Sequence, residues 1–268
     1  MWPSMPGCRA PTMPSKSPSP SLITSKKAID MPELPLGRRW ADMPDSSFDD
    51  YKSSTIRNPS QPPVSVPGWD QSLNLRPVWP QITPREADLT VNGRVNGDPI
   101  GERILVEGKL TDEAGRPVAG ALIEVWQANS AGRYIHREEL HPAPLDPNFL
   151  GSGRAISAAD GSYRFITIKP GSYPWGNHRN AWRPAHIHFA IFGVGIGQRL
   201  ITQMYFPGDP TLPYDPIFNA ITNPAVRNRL ISRFSMEDTV PNWAHCYRFD
   251  IVLAGSAATP FEEGHDHG

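Results

Sequence analysis

Beyond residue 100 the chain sets short apolar-rich segments between turn residues about every 8 to 12 positions, a spacing that suggests an all-β sandwich. ERILVEGKL (102–110) alternates apolar and polar positions. It is followed by the turn-rich TDEAGRPVAG, with Gly115 and Pro117, and then by ALIEVWQA (121–128), which predicts a hairpin-like pair. GSGRAIS (151–157) and SYRFITI (162–168) flank Asp160-Gly161, a strong short-range hairpin signal, and predict a second pair. PAHIHFAIFGV (184–194), RLITQMYF (199–206) and CYRFDIVLAG (246–255) read as three more strands, rich in β-branched and aromatic residues. NPAVRNRLISRFS (223–235) predicts one helix, with Asn223 as its cap and Pro224 at its first position.

Upstream the pattern is different. Residues 1–27 are Pro/Ser-rich without apolar periodicity and are expected to be disordered. Prolines at 3, 6, 11, 14, 18 and 20 interrupt every candidate secretory stretch. Residues 28–100 stay Pro-rich but carry several Trp, as an extended arm packed on the sandwich and on a partner would. Residues 101–256 form the expected catalytic domain, and 257–268, ending in EEGHDHG, a flexible tail. The 31 Pro and 22 Gly largely exclude long helices. With 26 Lys+Arg against 27 Asp+Glu, the net charge of -1 gives no long-range attraction to nucleic acid or anionic membrane. No apolar run reaches the roughly 18 to 20 residues of a spanning helix. Cys8 and Cys246 form no C-x-x-C pair, which fits a reducing, cytoplasmic setting.

The sharpest chemical feature is Arg183-Pro-Ala-His186-Ile-His188. In a strand, residues i and i+2 share a face, so both imidazoles point one way and can form half of a metal site. Two strand histidines that bond a carbonyl or face water remain the plain alternative. Phe189 to Gly193 hold no Glu, so a cupin-type set fails. A 2-His-1-carboxylate ferrous site would have to draw on acids in turns, such as Asp160 or Asp209. Tyr134 and Tyr173 lie at predicted strand ends and offer another set. Their hydroxyls could equally serve backbone groups, but a trivalent cation favours the phenolate, and hard anionic oxygen favours Fe(III).

The segment from Pro99 to Phe218, with GERILVEGKLTDEAGRPVAGALIEVWQANSAGRY, LDPNFLGSGR, DGSYRFITIKPGSYPW, WRPAHIHF and ITQMYFPGDP, resembles the intradiol ring-cleaving dioxygenases. DYKSSTIRNPSQPPVSV (50–66) and YRFDIVLAG extend the resemblance, which points to the iron-bearing β-subunit type that acts on protocatechuate. It implies a prealbumin-like or Ig-like β-sandwich with a Pro-rich irregular N-terminal arm and few short helices. It also implies a non-haem Fe(III) held by Tyr134, Tyr173, His186 and His188, with Tyr173 doubling as a base. Arg183 and Gln203 would be catalytic, and Tyr51, Arg57, Trp175, Tyr205 and Ile217 would bind substrate. The implied reaction opens protocatechuate (3,4-dihydroxybenzoate) with O₂ to 3-carboxy-cis,cis-muconate, a step of the β-ketoadipate pathway. The implied partner is a homologous α subunit in a larger oligomer. Cleavage of catechol or hydroxyquinol is the alternative within the family. EGKLTDEAGRPVAGALIEVW also resembles the first hairpin of transthyretin-like sandwiches, which leaves a non-catalytic binding module as the alternative outside it.

Overall fold

A computed structural model of the chain describes residues 79, 81–136, 139, 141–176, 180–193 and 199–260. Tyr51 and Arg57 lie outside the described residues, as does nearly all of 1–80. Eleven strands occur among the described residues: β1 Arg103–Thr111, β2 Leu122–Trp126, β3 Ser152–Ile156, β4 Ser162–Ile168, β5 Tyr173–Trp175, β6 Ala181–Arg183, β7 His186–Phe192, β8 Arg199–Tyr205, β9 Arg233–Val240, β10 Ala244–Arg248 and β11 Ile251–Val252. The helices are single turns: α1 Leu89–Asn92, α2 Pro216–Ala220 and α3 Pro224–Arg227, with short 3-10 turns between elements.

β3-β2-β7-β8 form one sheet, and β1 centres the other, with β4 antiparallel on one edge and β10 and β11 parallel along the other. The inner faces of both share a core that includes Ile104, Val106, Ile123, Val125, Phe165, Ile187, Phe189 and Met204. This is the all-β sandwich that the strand spacing predicts. β5 and β6 make a small third sheet over the site described below.

Both predicted hairpins are corrected. β1 and β2 lie in different sheets, and so do β3 and β4: β3 pairs with β2 over Leu122–Trp126, and β4 pairs with β1 over Arg103–Lys109. The turns themselves form. Asp112 N–H donates to Arg116 O (2.9 Å), and Gly161 N–H donates to Ala158 O (2.9 Å). Each reverses the chain and hands it to the opposite sheet, because burying two apolar faces against each other outweighs the local pairing signal. Asp160 sits in the second turn, where Ser162 bonds hold its carboxyl below the usual range.

The 223–235 helix is shorter than predicted. Asn223 caps it from Ala225 and Val226 N–H, and Pro224 opens it, but α3 ends at Arg227. After a 3-10 turn, Ser232 N–H donates to Tyr205 O (2.8 Å), and Arg233 begins β9, which pairs with β10. The backbone partners offered by β8 and β10 override helix propensity there. The strand read as 246–255 is also interrupted, at Phe249-Asp250. A Cβ on Gly108 of β1 would overlap the Phe249 carbonyl oxygen, so glycine alone admits this close approach. Tyr163 donates its hydroxyl to the same carbonyl, and burial, reinforced by the Asp250 charge, raises that phenol well above its ordinary value. Leu89 of α1 is buried in the core, and Pro260 O accepts a bond from the buried Thr202 hydroxyl (2.7 Å).

Candidate metal centre

β7 has two working faces. Ile187, Phe189 and Ile191 point into the core, and His186 and His188 point to the other side, yet both histidines are buried, at 2% and 1% exposure. Cross-strand register extends this outer face, since His186 pairs with Tyr205, and His188 lies between Gln203 of β8 and Trp126 of β2. Directly paired residues project on one side. Trp126 stacks flat on His188 (centroids 4.9 Å, 0°), and Tyr205 lies 5.9 Å from His186.

Two loops bring the tyrosines over the histidines. The ring centroids close a four-membered circuit: His186 to His188 is 4.8 Å, His188 to Tyr134 6.5 Å, Tyr134 to Tyr173 5.6 Å, and Tyr173 to His186 5.8 Å. The tyrosines are half-buried and the histidines buried, and the Tyr134 hydroxyl itself is buried. The loops meet backbone to backbone. Asn129 Oδ1 accepts from Ala131 and Arg133 N–H (2.9 and 3.0 Å), and Gly171 N–H donates to Asn129 O (2.9 Å). A Cβ on Gly171 would lie 2.5 Å from Ser130 O, and one on Gly132, where φ is 78°, would overlap Ser172 O. These two glycines set how closely Tyr134 and Tyr173 approach.

The histidine geometry suits a cation. His186 Nδ1 lies 2.6 Å from Pro184 O. A carbonyl only accepts, so Nδ1 carries the proton and Nε2 keeps its lone pair. That Nε2 is 3.1 Å from His188 Nε2. Two imidazole nitrogens bound to one ion at about 2.1 Å, with a right angle between them, would be about 3 Å apart. Two neutral nitrogen and two phenol oxygen donors fit a hard trivalent ion, because ionised phenols offset its charge.

Beside the circuit lies a buried polar chain. Arg183 of β6 (4% exposed) donates from Nη2 to Gln203 Oε1 and lies with its Nε 3.4 Å from Asp215 Oδ1. The Tyr205 hydroxyl donates to the same Gln203 oxygen (2.8 Å), and the Arg183 guanidinium is 5.4 Å from the Trp175 ring centroid. Pro216 opens α2, and the N–H of Ile217, its second residue, donates to Asp215 Oδ1 (3.0 Å). The nine described candidates from the sequence are thus held by five neighbouring elements and the Tyr134 loop.

Sequence reasoning missed Asp215 and Trp126. Asp215 stands in Tyr-Asp-Pro and reads as a turn residue; Trp126 reads as a strand residue, and only β2–β7 register exposes its stack. The acids considered for a ferrous site serve turns. Asp160 accepts from Ser162 N–H (3.0 Å), and Asp209 accepts from Thr211 and Ala185 N–H (2.8 and 2.9 Å). On the other sheet Glu107, Asp238 and Cys246 also bring ligand-type atoms within 4.8 Å. Arg248 already pairs with both carboxylates (3.4 and 2.5 Å), and burial pushes the Cys246 thiol to about 11, so that cluster is an ion pair beside a protonated thiol.

The family model for "Dioxygenase" matches residues 76–255, and the model for "Protocatechuate 3,4-dioxygenase beta subunit N terminal" matches residues 38–68. The chain is 54% identical over 238 residues to the protocatechuate 3,4-dioxygenase beta chain of Burkholderia cepacia, covering 87% of this chain and 100% of that one. It is 37% identical over 159 residues to chlorocatechol 1,2-dioxygenase of Rhodococcus opacus, covering 55% and 60%. Among solved structures, the dioxygenase domain of a carbohydrate-binding protein fusion from Streptomyces sp. SirexAA-E is 26% identical, covering 72% of this chain and 98% of that one, with a TM-score of 0.47. One family model spans most of the sandwich, and a relative more than half identical is matched over its whole length, so the chain belongs to the intradiol ring-cleaving dioxygenases.

Proposed function

We propose that this chain is the catalytic subunit that opens protocatechuate between its two hydroxylated carbons, with a non-haem Fe(III) held by Tyr134, Tyr173, His186 and His188. The observation that carries the reading is the closed circuit of two phenols and two imidazoles, with the histidine Nε2 atoms 3.1 Å apart. The relative named as a protocatechuate 3,4-dioxygenase beta chain supports the substrate. Its designation as a beta chain also supports a homologous α subunit as partner. Among the described residues no helix is long and apolar enough to cross a membrane. A cytoplasmic setting belongs to the same reading, supported by the free, buried Cys246.

When bound, the ferric ion supplies a Lewis acid that takes both diol oxygens and withdraws electron density from the ring. The protein residues do the rest. His186 and His188 anchor from the buried side, and the Pro184 carbonyl keeps the His186 lone pair turned inward. Tyr173, half-buried on the three-residue β5, is the phenolate placed to yield. With the ion bound, Tyr173 Oη would take up one of the two hydroxyl protons of the diol and a hydroxide the other, so that a neutral phenol and a water would be released and the charge would balance. Tyr134 stays as the second phenolate. The Arg183 guanidinium faces the negative charge that develops on the substrate, in a site where little water competes. Gln203 orients Arg183, and Trp175 packs over it. Tyr51 and Arg57 remain the proposed anchors for the substrate carboxylate.

Iron analysis, visible spectroscopy and oxygen uptake on a panel of dihydroxybenzenes test the reading. The expected protein is red-brown from phenolate-to-iron charge transfer and consumes one O₂ per protocatechuate. A colourless preparation that stays colourless after iron loading overturns it. Faster turnover of catechol or hydroxyquinol moves the substrate assignment only.

A further inference from the structure

A guanidinium buried as deeply as that of Arg183 needs a fixed counter-charge, and the structure supplies one that the reaction chemistry does not call for. Asp215 is 0% exposed and faces Arg183 Nε through Oδ1 at 3.4 Å. The same oxygen accepts the Ile217 N–H at 3.0 Å, so the cap of α2 locks the carboxylate in place. With Gln203 at Nη2 and the Trp175 ring over one face, the guanidinium is then held from three directions. We infer that Asp215 is a positioning residue for Arg183, tying the orientation of the cation to helix α2 and to Ile217. The inference rests on the role given to Arg183 above. Without the Asp215 charge, the ionised tyrosines would compete for the cation and draw it from its working orientation.

Asp215→Asn keeps a capping oxygen and removes the charge. In the iron-loaded protein with its partner subunit, the visible band, iron content and melting temperature are expected to stay near wild type. The anaerobic Kd for protocatechuate, read by calorimetry, should change less than about threefold, while kcat falls about 100-fold, as a catalytic group displaced by about 1 Å can cost. Adding Asp215→Asn to Arg183→Gln should cause no further loss, because the two act as one unit. Asp215→Ser, also a capping residue, carries the same expectations if the Asn variant does not fold. Unchanged kcat overturns the inference. So does a further multiplicative loss in the double variant, or failure of both capping variants to fold, which would make the role structural. A wild-type protein inactive on every diol would instead overturn the functional reading, so the two failures are distinct.

Discussion

The two faces of β7 occupy one strand and differ in nearly everything but burial. Ile187, Phe189 and Ile191 face the sandwich interior, and His186 and His188 face outward, yet all five are buried. On the inner side the cover is the second sheet, and the contacts are apolar rings, with Phe189 5.8 Å from Phe165 and 5.3 Å from Phe249. On the outer side the cover is made of loops, the β5–β6 ribbon and α2, and the contacts are polar and directional. Non-directional packing supports the fold, while the face closed by loops presents nitrogen and oxygen donors toward a ligand. Solvent exposure alone would not separate the site from the core here; chemistry and cover do.

Substitutions on each face sharpen that contrast. The largest effect is expected from His188→Ala. Turnover should fall by more than the roughly 10 to 100-fold that loss of a supporting group around a metal costs, and the visible band should vanish, while urea unfolding stays close to wild type. Phe189→Ala should do the reverse. Unfolding stability should drop by about 3–5 kcal/mol in urea titration, with kcat retained wherever the protein remains folded. If Phe189→Ala abolished colour in a folded protein, the faces would not be independent. Gly132→Ala, at φ 78° and against Ser172 O, should cost about 1–3 kcal/mol. It should also shift the charge-transfer band by parting the tyrosine loops. A change in stability without a spectral shift would show that the junction supports the loops without setting the phenols.

The strands were legible because short apolar-rich segments such as ERILVEGKL and SYRFITI stand between turn residues, and the shared face of His186 and His188 follows from the period of two in a strand. Partner choice was not. Asp160-Gly161 announces a reversal but carries nothing about which sheet receives the chain, so both apparent hairpins cross the sandwich instead. RFSMEDTV was missed as a strand because its pairing is set by β10 and its polar face meets solvent. Asp215 was hidden for a related reason: a carboxylate in Tyr-Asp-Pro reads as a turn residue, and Arg183 lies 32 positions upstream and meets it only in the fold.

The sequence by itself determined that the chain forms a sandwich of short strands, which two histidines share a strand face, and which tyrosines, arginine and glutamine belong with them by resemblance. These follow from local backbone geometry and from residue identity. The tertiary structure alone decided which strands pair, how Gly132 and Gly171 bring the phenols over the imidazoles, and that Asp215 stands behind Arg183. Those are contacts between distant parts of the chain, settled by mutual burial and register, and no local pattern encodes them.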